Sequence, residues 1–357
     1  MIFHVIGEPE FEASSWYRDI LYGLVQEKKH KRIELVYMGA DTDFADIRVG
    51  DEDVAFVIGS DSVWLDNVTS ALSGIFDNRV IVLGNYKSGS PFATYSAVSA
   101  DIVGNVRTIY EYLLSCGKSR IALYGINPAS VSDGYKSDAF VALTGSDALF
   151  YNNGSLAACF ESFYEVSDSY DAVICVNSYA ALSLSRRLAD DRIYVASIGT
   201  GALAGASRPS ITCVDSDYRE FARAGIELAR MLVKNRTVSS VTVSIEGKLY
   251  IGETTGSTPA SSTRSVPVKP TSTGDVQFYS DSEVSEMLRI ERLLATIDAE
   301  DSEILGELIL GDTYLDISRR HFISEGTVKY KIKNLCELCS VQNRSELVAL
   351  AKKYIDP

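Results

Sequence analysis

Short apolar runs alternate with amphipathic stretches through the first 256 residues, and this alternation constrains the chain more than any other feature. The runs are Ile2–Ile6, Arg32–Met38, Val54–Ile58, Arg79–Leu83, Ala93–Val98, Arg120–Tyr124, Ala172–Val176, Ile193–Ile198 and Val241–Ile245. Most are nearly continuous in hydrophobic character, as strands buried on both faces must be. Between them fall helical patterns at Trp16–Glu27, Ser62–Phe76, Ile102–Leu114, Tyr135–Leu143, Leu156–Glu165, Tyr179–Leu188 and Tyr218–Lys234. Strands that alternate with helices at this spacing pair in parallel, with helices covering both faces of the sheet. Nine strands exceed one comfortable sheet, so the pattern predicts an α/β body of two lobes, with ligands outside the carboxyl ends of its strands.

The chain has 357 residues, enough for two or three domains, and 46% of them are hydrophobic. No run approaches the 18 apolar residues of a membrane span. The opening Met1–Glu10 lacks a positive leader region and carries Glu8 and Glu10 early, so it predicts a first strand and a cytoplasmic protein with no membrane partner.

Six cysteines are scattered, and three histidines (His4, His30, His321) stand apart. Cys336 and Cys339 form one C-x-x-C, but no second pair accompanies it, so two thiols on one helix are expected rather than a metal site. There is no G-x-S-x-G, H-E-x-x-H or P-loop, and nothing marks a catalytic residue or a cofactor. Glu10, Asp61, Asp101 and Asp133 fall where a cleft would run, without forming a catalytic pair that spacing alone identifies. Gly199-Thr-Gly-Ala-Leu-Ala imitates a dinucleotide fingerprint, but Arg208-Pro209 comes too soon for the long helix such a site needs.

After the body comes a Ser/Thr/Pro/Gly-rich stretch with few large apolar residues, read as a flexible linker over 257–279. Ser280 and Glu283 have the spacing of a capping box. Val284, Met287, Ile290, Leu294 and Ile297 then form an apolar stripe, for packing on the C-terminal helices or for pairing between protomers.

The last sixty residues carry the strongest functional signal. Phe322 and Ile323 read as apolar anchors of a short turn, and Ser324 as the N-cap of a helix. Lys329, Lys331 and Lys333 come next on its exposed positions, while Val328, Ile332 and Leu335 make its buried stripe. The whole chain has a net charge of −14, yet between Ile317 and Lys353 eight Lys/Arg stand against three Glu, a net of +5. An acidic body with one basic tip suits selective attraction to phosphate. A helix with a buried apolar stripe and a lysine face meets the needs of a major-groove reader of double-stranded DNA.

This block resembles the LuxR-type helix-turn-helix family from Ile297 to Tyr354: Gly311 ends the first helix, Asp316-Ile317-Ser318 stands in the second, and Glu325–Lys329 opens the recognition helix. The resemblance implies that Lys329, Tyr330 and Lys333 read bases and that Thr327 and Lys331 contact backbone. Lys331 stands for the family's usual histidine and Leu338 for a lysine.

The body resembles the effector domain of the LacI/GalR family, the type I periplasmic-binding-protein-like fold. Trp16-Tyr17…Gly23, Asp101, Lys136…Ala139-Phe140, Asp171–Asn177 and Ile198-Gly199 fall at family positions. The resemblance implies a small polar, sugar-like effector between the lobes, touching Trp16, Tyr17, Asp101, Lys136 and Asn177. Three polar partners differ: Ser178 and Gly201 replace acids, and Lys136 replaces an arginine whose bidentate fork a lysine does not reproduce.

Together these observations predict a DNA-binding transcription regulator: a sensing body over 1–256, the linker, and a helix-turn-helix domain with leading helix over 280–357, in reverse of the usual LacI/GalR order. The alternatives are a ligand-independent regulator whose body serves dimerisation or protein docking, and a solute-binding protein. A homodimer is expected, held mainly by first-lobe helices such as Ser62–Phe76, with Leu347, Leu350 and Ala351 of the last helix as a second apolar face too small to hold a dimer alone.

Overall fold

Two sheets carry the body of the computed structural model. The structure describes residues 1–9, 15–31, 33–38, 44, 47–59, 61–86, 94–128, 130–188, 192–199, 203, 207–256 and 281–355. In the first lobe, β1 (Ile2–Gly7), β2 (Glu34–Met38), β3 (Val54–Ile58), β4 (Val80–Leu83), β5 (Ser96–Ala100) and β11 (Thr242–Ile245) pair in parallel, in the order β11-β5-β4-β3-β1-β2. Successive strand side chains point to opposite faces, which divides each strand between two cores. Phe3, Val5, Phe56 and Ile58 join the core under α1 (Ser15–Lys31) and α7 (Tyr218–Lys234). Ile6, Ala55, Val57 and Val82 join the core under α2 (Ser62–Phe76). Gly23 lets α1 and α7 approach closely, since a Cβ there would come within 2.7 Å of Ala222.

The second lobe holds β6 (Ile121–Ile126), β7 (Leu149–Tyr151), β8 (Ala172–Cys175), β9 (Tyr194–Ile198), β10 (Thr212–Asp215) and β12 (Lys248–Tyr250), in the order β12-β10-β9-β8-β6-β7. Only β12 runs antiparallel to its neighbour among the described strands. One face packs on α3 (Ile102–Ser115) and α4 (Val131–Thr144), the other on α5 (Leu156–Tyr164) and α6 (Ser178–Arg187).

The expected two-lobe architecture is present, with β7, β10 and β12 in addition to the expected strands: segments of three or four residues offer too few positions for a period to register. The run expected at Ala93–Val98 forms β5 from Ser96 to Ala100, where its register with β4 and β11 places it.

The C-terminal region is all helical: α8 (Ser282–Thr296), α9 (Ala299–Leu310), α10 (Tyr314–His321), α11 (Glu325–Leu338) and α12 (Arg344–Tyr354). Side chains of Asp281, Asp298, Thr313, Ser324 and Asn343 cap the five starts, each accepting a backbone N–H. Gly311, at φ 99°, closes α9 in the left-handed conformation. The linker over 257–279 and Ser280 lie outside the described residues, and the side-chain cap observed for α8 is Asp281.

These helices are seated on the second lobe. Val284, Met287, Ile290 and Leu293 of α8 are buried in one apolar cluster that runs from Tyr124, Phe163 and Leu184 of the lobe to Ile304, Leu335 and Leu347 of the tip. Arg187 clamps Glu283 through two hydrogen bonds of 2.9 and 2.6 Å. Asp281 both caps α8 and accepts the Leu156 amide, 3.3 Å away, at the start of α5. The apolar stripe of α8 therefore packs on the tip and on the body together. Leu347, Leu350 and Ala351 lie buried inside the same cluster, so the smaller of the two expected dimer faces is used within the chain.

Candidate functional site

Among the described residues three chain crossings join the lobes, and all leave from carboxyl ends of strands. The chain passes from β5 to α3 at Asp101, from β10 to α7 through Asp215–Asp217, and from β11 to β12 through Glu246-Gly247. The carboxyl ends of both sheets therefore converge on these crossings, where ligands of open parallel sheets bind. Asn105, buried on α3, ties two of the crossings together. Its amide donates to the Ser216 hydroxyl at 3.4 Å, and its side-chain carbonyl accepts from the Gly247 amide at 2.9 Å. The Asp101 amide donates to the Ile245 carbonyl at 2.9 Å, joining the first crossing to the third.

The side chains expected at a ligand sit in this frame, largely engaged within the protein. Trp16 and Tyr17 are brought together on α1, edge to face with ring centres 6.1 Å apart, and each is 5% exposed. Trp16 also lies 6.4 Å from the Tyr218 ring. The Tyr17 hydroxyl lies against Gly7 at the end of β1, where a Cβ would come within 1.7 Å of it. Asp101 caps α3, accepting the Gly104 amide at 2.9 Å. Asn177 caps α6 through the Ala180 amide at 2.9 Å. Lys136 is paired with Asp133 at 2.9 Å and donates to the Val176 carbonyl at 2.9 Å, which puts it beside Asn177 in the second lobe. Ser178, in the position of an acid in the resemblance, is fully buried, and its hydroxyl has no hydrogen-bond partner among the described residues.

Sequence reasoning missed other polar groups at strand ends: Glu8 after β1, Asn85 after β4, Asn127 after β6 and Asp215 in β10. Glu8 accepts the Asp61 amide at 3.1 Å, Asn85 accepts the Ala100 amide at 2.9 Å, and Asp61 caps α2. The signal for them is a polar residue directly after an apolar run, as in Ile6-Gly7-Glu8 and Leu83-Gly84-Asn85. Burial, with Asp215 and Asp19 nearby, pushes the Tyr218 phenol well above its usual range and keeps it neutral. Glu10 and Gly201 lie outside the described residues, as does most of the segment from Gly199 to Gly205.

The second candidate surface is α11. Along a helix each residue turns about 100°. Val328, Ile332 and Leu335 fill one sector and are buried, while Thr327, Lys329, Tyr330 and Lys333 share the opposite, exposed sector. Tyr330 is 65% exposed. Lys331 falls at the edge of the buried sector and turns away from the open face: Glu300 and Asp301 of α9 hold its ammonium at 2.8 and 2.7 Å and raise its pKa. Lys329 approaches the ring of Tyr314 at 5.8 Å, and Arg344 stacks on the same ring at 4.8 Å. Lys333 faces Glu337 at 3.6 Å, with both side chains largely exposed, a pair too wet to hold it firmly.

The turn before α11 differs from expectation. Ile323 packs against the core, but Phe322 is 95% exposed at φ 55° and anchors nothing. Its role is geometric: it is the left-handed cap that ends α10 and starts the turn. Cys336 and Cys339 are both buried, and desolvation pushes the Cys339 thiol up to about 11. Among the described residues no cluster of His, Cys, Asp or Glu has the makings of a metal site, and no helix is long and apolar enough to cross a membrane.

No protein-family model and no curated protein matches the sequence. Solved structures do match the fold. The transcriptional regulator CelR in complex with cellobiose aligns with a TM-score of 0.56 and 17% identity over 71% of this chain and 84% of that one. The LacI family transcriptional regulator CcpA from Weissella paramesenteroides with bound sucrose gives 0.52 and 18% over 71% of this chain and 98% of its own. A dimeric Lac repressor with a C-terminal deletion gives 0.53 and 14%, with the same two coverages of 71% and 98%. At such identities the likeness is one of fold, and the body of this chain has the architecture of LacI-type effector domains.

Proposed function

We propose that this protein is a transcription regulator that binds double-stranded DNA through α11 and adjusts that binding to a small polar, carbohydrate-like molecule held between its lobes. In this reading residues 1–256 are the sensing body, 257–279 the linker, and 280–357 a LuxR-type helix-turn-helix domain with its leading helix. The observation that carries it is the seat of α8. A two-lobe body with three crossings is joined by a shared apolar core to a helical unit with an open lysine and tyrosine face. A shift of one lobe against the other about the Asn105-tied crossings then carries the tip with the second lobe, with no need for the linker to transmit anything.

Lys329, Tyr330 and Lys333 read base edges in this scheme, and Thr327 contacts backbone. Lys331 reaches a phosphate only by leaving Glu300 and Asp301. A cytoplasmic homodimer places two α11 helices on paired half-sites. The first-lobe helix α2, with Val63 67% exposed, is the candidate dimer surface. The effector touches Trp16, Tyr17, Asp101, Lys136 and Asn177. Proteins of this fold that hold cellobiose or sucrose support a carbohydrate-like ligand.

One observation favours a ligand-independent regulator as the second reading: Asp101, Lys136 and Asn177 are already committed to caps and a buried pair. The deciding experiment selects duplexes from a random library with the full-length protein, then titrates the selected complex with mono- and disaccharides. A sequence-specific complex whose affinity shifts with one sugar supports sensing. Specific binding that no sugar alters supports the second reading, and absence of specific binding refutes both.

A further inference from the structure

A recess of about 260 Å³ lies where the second lobe meets the last helix of the tip. Its polar lining is Ser185 and Arg186 from α6, Ser207 and Arg208 from the segment before β10, and Lys352 and Lys353 from α12. Four cations thus line one concavity with no carboxylate among its lining residues, in a chain whose acidic residues outnumber its Lys and Arg by 48 to 34. Such a concentration against the charge of the whole creates a local positive field.

The four cations are not equally committed. Lys353 is bound to Glu286, which also accepts from the Tyr354 hydroxyl at 2.8 Å. The Arg186 guanidinium lies over the Tyr354 ring, 4.5 Å from its centre, which steadies the group without using its hydrogen-bond donors. Arg208 donates to the neighbouring Ser207 carbonyl at 3.2 Å, and Glu253 feels its charge. Lys352 is exposed and makes no hydrogen bond or ion pair among the described residues. The Ser185 hydroxyl is buried and has no hydrogen-bond partner there either.

We propose that this recess binds a small phosphorylated molecule, with Arg186, Arg208 and Lys352 holding the phosphate. Two guanidinium forks and an ammonium lining one recess suit a phosphate dianion in charge and in the kind of donors they offer. The volume falls near the low end for small-molecule pockets, which suits a phosphate monoester of a few carbons, and Ile211 supplies an apolar wall for its body. The walls come from both the second lobe and α12, so the bound ester clamps the tip to the body. This site is separate from the cleft between the lobes and from the open face of α11, and it does not depend on either being functional.

The test is calorimetric titration and thermal melting of the full-length protein with inorganic phosphate and with glycerol 3-phosphate, against chloride of equal ionic strength and against glycerol. Both phosphates should bind and raise the melting midpoint, while chloride and glycerol should not. The exposed pair Arg208→Gln and Lys352→Gln should weaken glycerol 3-phosphate at least tenfold while leaving the anion-free midpoint in place. Lys352→Arg should retain binding. Arg107→Gln with Lys234→Gln, which removes the same charge from exposed positions elsewhere, should also retain it. Absence of a phosphate effect in the unmodified protein, or full retention by the Arg208/Lys352 variant, would overturn the assignment. So would competition for the recess by a short random DNA duplex whose affinity the same variant lowers equally, because the four cations would then be a DNA-backbone contact.

Discussion

The polar residues proposed for the cleft between the lobes and those proposed for the open face of α11 are held differently. On α11 Lys329, Tyr330 and Lys333 are exposed; among the described residues Lys329 has one long ring contact and Lys333 one wet ion pair. Of the residues proposed for the cleft, Asp101, Lys136 and Asn177 are fastened by caps and a buried ion pair. A side chain that is little used within its own molecule is available to a partner. One that already stabilises the fold has its geometry set in advance, and mutating it confuses binding with stability. The contrast therefore predicts that variants at the two places differ in kind: loss of fold in the cleft, loss of partner on α11.

The largest effect should come from Lys136→Met. Its side chain and that of Asp133 are 7% and 0% exposed, so the change leaves a buried carboxylate without its cation. Removing one member of such a pair costs about 3–5 kcal/mol, measurable as a fall in the urea midpoint with or without sugar. A fold as stable as the parent would show that the cleft is less rigid than its contacts suggest.

Met287→Ala comes next and tests the joint between the two regions. Met287 is fully buried between lobe and tip, and its truncation should cost about 2–5 kcal/mol. Body and tip should then melt in separate steps in calorimetry, and any sugar effect on DNA binding should disappear. A single unchanged transition would mean that α8 does not couple the two.

On α11, Lys329→Ala and Lys333→Ala should each weaken the selected duplex by about 1–3 kcal/mol while leaving the melting midpoint alone. Lys331→Ala should weaken it less than either, because Glu300 and Asp301 hold that ammonium. Gel-shift titrations at two salt concentrations would measure both, and an equal loss for all three would place Lys331 on the DNA after all.

The smallest effect concerns the turn. Phe322 adopts the left-handed conformation with no burial in return, and Asn tolerates that conformation better. Phe322→Asn should raise stability by about 1 kcal/mol in urea unfolding, part of the cost of a left-handed residue. A simultaneous fall in DNA affinity would identify the exposed ring as part of the recognition surface.

How much of this molecule is legible before folding depends on how local each signal is. The lysine face of α11, the Ser324 cap and the Gly311 stop each depend on residues within one or two helical turns, and the structure has the cap, the stop and an open face in place, with Lys331 drawn aside. The two-lobe body is legible because buried parallel strands are near-continuous apolar runs. The short strands β7, β10 and β12 leave no such run, and Phe322 reads as an anchor because hydropathy does not report which way a turn residue points.

Most secondary elements, their periodicity and the charge contrast between body and tip depend on neighbours along the chain, so they are readable from the residues in order, the three shortest strands excepted. Tertiary structure alone decided that α8 sits on α6, that Arg187 finds Glu283 across the linker, that Leu347 and Leu350 face inward, and that Arg186, Arg208 and Lys352 line one recess. Those pairings join residues far apart along the chain, and no local pattern encodes them. They arise only when the apolar stripe of α8 meets a complementary face that the second lobe has already built.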